Sequence, residues 1–276
     1  MISIRRRLYR ERRRIVIISL LTLIAGLVAG LNDDRVVYGI PFQLAYGIAY
    51  LVILTPVLLV IALVFPSIRS ATETVAFSLT FISLMHLYGS RPDGSGFENA
   101  MFVLSILFGY LVFSVYAGGW LDRYLPSAKR TFSSKVKTAL SPNELWPFLV
   151  VTPDTVDTYG GENTVSMVWV DQGVSYIETD QLGDHSQVQE MMTIEVCELD
   201  KRFRGRFQSL SAKKGASGIS GVLERRFIWT AKGTQLVSTR SFDQSSPILD
   251  FRAWLDDSFG RYDDQYVGRA EKLSGT

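Results

Sequence analysis

Three charged residues stand where a strand pattern asks for apolar ones, and they are the side chains of this sequence best placed to do chemistry. In the run Val188, Glu190, Met192, Ile194 and Val196, every second residue is apolar except Glu190. Ile219, Gly221, Leu223, Arg225, Phe227 and Trp229 repeat the pattern with Arg225 as the exception, and Leu236, Ser238, Arg240 and Phe242 repeat it with Arg240. Alternate side chains of a strand share one face, so each charge is carried inward unless a bulge or strand end releases it to water. Carried inward, a charge must be paired or must bind something. Glu190, Arg225 and Arg240 are therefore expected to form a polar cluster in or at the mouth of a cavity, able to hold an anionic or hydroxylated headgroup. Met192, Phe227 and Trp229 would supply its apolar lining. The competing reading, in which a strand end or bulge takes the three charges to solvent, stays open at this stage.

The remaining reactive side chains offer less. Cys197 has the opposite parity to the apolar row and no histidine or aspartate partner in sequence. His185 falls in the turn Gly183-Asp184-His185-Ser186 without metal-ligand spacing. No glycine-rich phosphate loop is present. No catalytic residue, metal site or cofactor is expected, and an enzyme would have only Glu190 as its acid or base.

These residues need elements to position them. Strand-like runs at 131–140, 164–171, 174–181, 187–199, 202–211, 218–229 and 234–243 are separated by short polar or glycine breaks such as Gln172-Gly173 and Lys232-Gly233. That spacing predicts an antiparallel meander. Between the first two runs, Ser141-Pro142-Asn143-Glu144-Leu145-Trp146 supplies an N-cap, a proline at the first helical position and a glutamate three residues after the cap, so a short helix starts there. After Pro247, apolar residues at Ile248, Phe251, Leu255, Phe259, Tyr262, Tyr266 and Leu273 form one stripe on a continuous helix of ~25 residues.

The order strand, short helix, antiparallel strands and long terminal helix resembles the START-like superfamily, also called SRPBCC, which includes polyketide cyclases and lipid-transfer domains. The resemblance rests on the alternating first strand, the Ser141-Pro142-x-Glu144-x-Trp146 opening and the Pro247 to Leu273 helix, and covers residues 131–273. It implies an α+β helix-grip domain, a curved antiparallel sheet around the C-terminal helix, enclosing a cavity for lipids or other hydrophobic molecules. It carries over no catalytic motif.

The first half of the chain is of another kind. Apolar stretches at 15–31, 43–65, 71–88 and 99–121 each approach the ~20 residues needed to span a bilayer, which predicts an all-α membrane domain of four spans over residues 1–124. Eleven basic residues (Arg5, Arg6, Arg7, Arg10, Arg12, Arg13, Arg14, Arg69, Arg123, Lys129 and Arg130) fall on one side of these stretches, and Arg35 and Arg91 on the other. The positive-inside rule then puts both termini in the cytoplasm of an inner (plasma) membrane protein. His86 is read as an interfacial histidine. Gly26 and Gly30, four residues apart, permit close helix contact, within one bundle or in a homodimer. No pair of buried charges marks an ion path.

Residues 1–130 hold 13 basic against 7 acidic residues, +6, and residues 131–276 hold 16 against 20, −4. The part free to present a binding face is mildly acidic, which argues against nucleic acid as a partner. A single cysteine excludes an internal disulfide framework. The expected function is a membrane-anchored cytoplasmic module that binds or transfers a lipid or other hydrophobic small molecule, with membrane lipids as partners. A packed interaction or assembly module is the alternative, and a cyclase-type enzyme the third reading.

Overall fold

A computed structural model of the chain describes residues 4–31, 35–65, 69–89, 103–104, 107–112, 114, 124–161, 163–181, 187–210 and 219–275. The chain divides into two compact units, Arg7–Tyr124 and Leu125–Thr276 together with Met1–Arg6.

The first unit contains helix α1 (Ile4–Ala29) from Arg7 onward, α2 (Phe42–Val64) and α3 (Arg69–Gly89). Among the described residues only α2 is both long and apolar enough to cross a membrane, and the apolar part of α3, Ala71–Met85, is shorter than a span. The four-span expectation is therefore not supported. Helix α1 runs through the arginine cluster as well as the apolar stretch, and much of 99–121 lies outside the described residues, as does the side chain of His86.

The arginine cluster is not simply a solvated anchor. Helical spacing turns Arg14 inward, where it is fully buried with Glu11 and Glu73. Its Nη1 donates to Glu11 Oε2 at 2.7 Å and its Nε donates to Glu73 Oε1, while Thr72 Oγ1 donates to Glu73 Oε2 at 3.2 Å. The expectation of no paired buried charges is thus overturned. A guanidinium removed from water is tolerable only with carboxylates beside it, and the pattern of charges along α1 does not reveal the partner on α3. Gly26 and Gly30 lie against α2: a Cβ on Gly26 would meet Tyr46 O at 2.6 Å, and one on Gly30 would meet Gln43 Cα at 2.7 Å. That close approach is made within the chain.

The second unit opens with strand β1 (Ala128–Thr138), followed by α4 (Pro142–Leu149) and the single turn α5 (Val156–Tyr159). Strands β2 (Thr164–Asp171), β3 (Ser175–Gln181), β4 (Gln187–Glu198), β5 (Arg202–Ser209), β6 (Ser220–Thr230) and β7 (Gly233–Ser245) then form an antiparallel meander. β1 pairs with β7, giving one seven-stranded sheet of order β1-β7-β6-β5-β4-β3-β2. The expected strands are present nearly residue for residue. The ends expected at Ser211 and Gly218 fall outside the described residues. Ser141 caps α4 as anticipated, its N–H donating to Glu144 Oε2 at 2.8 Å.

The terminal helix is not continuous. α6 (Pro247–Asp256) and α7 (Ser258–Leu273) are separated at Asp257, whose φ of 45° and ψ of 45° are left-handed. Aspartate tolerates that region better than most residues. The break rotates the inward face of α7 away from the predicted stripe. Asp263, Asp264, Val267 and Ala270 are buried, whereas Phe251 on α6 and Leu273 at the end of α7 stay exposed. α7 packs on β1 and α4, and Leu145, Trp146, Phe207, Phe227, Leu236 and Val267 fill the core. A seven-stranded antiparallel sheet closed by a C-terminal helix fits the helix-grip arrangement.

Candidate functional site

Strand register brings the charged residues together. On β3, Tyr176, Glu178 and Asp180 alternate with Ile177 and Thr179, and antiparallel pairing sets Glu178 directly opposite Glu190 of β4 and Tyr176 opposite Met192. Farther across the sheet, Phe203 of β5 lies opposite Arg225 of β6, which pairs with Ser238, and Leu223 lies opposite Arg240 of β7. These inward faces, with Leu149 to Val151 at the end of α4 and Tyr262 and Tyr266 of α7, line a cavity of about 200 Å³.

The cavity is unevenly divided. Val150, Met167, Val188, Met192, Phe203 and Leu223 make its apolar wall. Glu178, Asp180, Glu190, Arg225, Arg240 and the tyrosine hydroxyls make its polar wall. Of the six residues nominated from sequence, Glu190, Arg225, Arg240 and Met192 line this one space. Phe227 is buried away from it, its ring 5.1 Å from Trp146. Trp229, close to the end of β6, is 61% exposed.

Both arginines are held by the protein. Arg225 is buried; its Nη1 donates to the carbonyl of Leu149, which ends α4, and its Nη2 lies 3.8 Å from Asp263 Oδ1 of α7. Asp263 also accepts from Ser134 Oγ of β1. Arg240 Nη2 donates to Glu190 Oε2 at 3.3 Å, and its guanidinium lies 4.3 Å from the centre of the Phe207 ring, a cation–π contact. Among the described residues, the Nε atoms of both arginines and Oδ1 of Asp180 are buried without a hydrogen-bond partner. Tyr262 and Tyr266 hydroxyls are 2.9 Å apart.

Glu178 is the chemically distinctive group. Burial, reinforced by the nearby Asp180 and Glu190 carboxylates and offset by Arg225 and Arg240, pushes its carboxyl up to about 7. It changes charge in the neutral range, as an acid–base group must. Burial likewise raises the hydroxyls of Tyr176 and Tyr266.

Glu178, Asp180 and Tyr176 were missed from sequence because β3 shows no apolar row to mark its inward face. The signal was there in the hairpin. Antiparallel pairing of the two runs sets residue 178 against residue 190, so Glu190 facing inward requires Glu178 to do the same. His185 itself lies outside the described residues. A bulge after Ile194 shifts the register of β4, so that Cys197 pairs with Phe203 rather than taking the opposite face. It is exposed close to the strand end. The outer row of arginines forms a charge ladder: Arg202 reaches Glu224 at 3.1 Å and Arg204 reaches Glu195 at 2.7 Å.

No protein-family model matches the sequence, and no curated protein matches it. Solved structures similar to the chain include the Mll3558 protein from Rhizobium loti, 13% identical over 52% of this chain and 95% of that one, with a TM-score of 0.38. Ara h 8.0201 is 13% identical over 52% and 99%, TM-score 0.41. The di-domain ARO/CYC StfQ from the steffimycin biosynthetic pathway is 12% identical over 68% and 63%, TM-score 0.39. Scores this low lend no weight to the fold reading, which stands on the sheet order and the closing helices.

Proposed function

We propose that the C-terminal unit is a binding module for a small amphipathic molecule, tethered to a membrane by the N-terminal helices. The observation that carries this reading is the two-sided cavity between the sheet and α7, apolar along Met167, Val188, Met192 and Leu223 and polar along Glu178, Asp180 and the two arginines. A solid core would not retain buried donors and acceptors without partners. Sites for drug-sized ligands run to ~300–1,000 Å³. A cavity of about 200 Å³ suits a small molecule, or one end of a larger molecule whose remainder projects from the mouth.

The apolar helix Phe42–Val64 supports the tether, and the distribution of basic residues supports a cytoplasmic C-terminal unit at the inner membrane. Tethering raises local concentration at the bilayer, so modest affinity suffices for uptake from, or delivery to, the inner leaflet. Glu178 titrating near neutrality favours a second reading, proton transfer on a bound substrate.

The test is native mass spectrometry of the full chain extracted from its own membranes. The binding reading expects a small-molecule adduct that is lost when Leu223→Trp fills the cavity. The bare protein mass for both proteins contradicts it.

A further inference from the structure

The cavity's charges are not matched in sign. Three carboxylates line it (Glu178, Asp180 and Glu190) against two guanidinium groups, Arg225 and Arg240. Each arginine is already engaged. Arg240 holds Glu190 at 3.3 Å and lies over Phe207, and Arg225 is held by the Leu149 carbonyl and by Asp263. Two acids remain. Among the described residues, Asp180 keeps Oδ1 buried without a partner, and Glu178 makes no hydrogen bond or ion pair. They stand two residues apart on one face of β3, with Glu190 directly across from Glu178.

An anionic head entering here meets an excess of negative charge, and no free guanidinium fork to receive it. A cation meets two waiting carboxylates at low dielectric, where charge-assisted hydrogen bonds are strong. The unpartnered Nε–H groups of Arg225 and Arg240 can each donate to a neutral oxygen beside that cation. Opposite lies the apolar wall of Met167, Val188, Met192 and Leu223.

We infer that the cavity receives a small protonated amine carrying a neutral oxygen and a short apolar body, with Glu178 and Asp180 taking the ammonium group. This rests on the binding reading above and adds the class of ligand. Glu178 is faced by Tyr176 and Asp180 on its own strand, Glu190 on β4, Arg225 on β6, Arg240 on β7, and Tyr262 and Tyr266 on α7. Among these, the incoming ammonium adds the positive charge that lets Glu178 give up its proton. Affinity for the amine accordingly rises as pH climbs from the acid side through neutrality, and binding releases a proton below that range.

Three probes share one branched carbon skeleton: leucinol has an amine and a hydroxyl, isohexanol the hydroxyl alone, and isohexanoate a carboxylate. Calorimetric titration of the full chain in lipid nanodiscs at pH 7.5 is expected to show leucinol binding ~tenfold or more tightly than isohexanol, the scale of one ion pair at a partly buried site. Isohexanoate is expected to bind weakest. Glu178→Gln with Asp180→Asn removes the leucinol advantage over isohexanol, and a near-ultraviolet circular dichroism spectrum matching that of the wild type shows that the variant is folded. If isohexanol matches leucinol, or isohexanoate exceeds either, the amine assignment is wrong and the binding reading stands. If none of the three binds, the binding reading falls with it.

Discussion

Replacing Glu178 with glutamine tests the electrostatics of the cavity without changing its shape. A carboxyl that titrates at about 7 in the fold, against 4.5 as its ordinary value, binds its proton more tightly folded than unfolded. Below the lower value both states are protonated, and the group has no effect on stability. Between the two values the folded state keeps a proton that the unfolded chain has lost, so stability falls as pH rises. Above about 7 the full cost of burying the ionised group persists. At ~1.4 kcal/mol per pH unit, the interval amounts to ~3 kcal/mol, or roughly 6–12 °C in the melting temperature of a unit this size. Near-ultraviolet circular dichroism melts of the full chain in detergent, for wild type and Glu178→Gln at pH 5 and pH 8, read this directly. Glutamine is expected to raise the melting temperature at pH 8 and to change it little at pH 5. An equal shift at both pH values, or a loss at pH 8, would refute the placement of Glu178 in a poorly solvated, acid-rich pocket.

Other perturbations reach different parts of the structure. Arg225→Met removes the guanidinium beside the buried Asp263, and is expected to cost ~3–5 kcal/mol; Asp263→Asn in the same chain recovers part of that in a thermal melt. Gly26→Val pushes a side chain into the backbone of α2, 2.6 Å from Tyr46 O. It lowers the helix-melting temperature in detergent by an amount equivalent to ~1–3 kcal/mol. Cys197 is exposed, so in intact cells a membrane-impermeant maleimide should label it only after permeabilisation; labelling of untreated cells contradicts the cytoplasmic location.

The sheet was legible because its strands carry period-2 patterns and its turns carry their own residues. Ser141 and Glu144 announced α4, and the rows containing Glu190, Arg225 and Arg240 raised an inward polar cluster as one of two open readings. What sequence did not reveal depended on long-range pairing. Glu178 and Asp180 sit in a strand polar on both faces, so only the register of the β3–β4 hairpin shows which way they point. Asp263 lies off the predicted apolar stripe, and only the break at the left-handed Asp257 leaves it on the buried face beside Arg225. The same holds in the first unit. Arg14 reads as one more positive charge in a basic run, and its burial with Glu11 and Glu73 depends on how α1 meets α3.

Binding requires an open space between the sheet and α7. The most direct measurement is an experimental density map of the full chain extracted in its native lipid. The account predicts non-protein density bounded by Glu178, Arg225, Leu223 and Tyr266, with its polar end against β3. Side chains of Met192, Leu223 and Tyr266 meeting across that volume, with nothing between them, would contradict it.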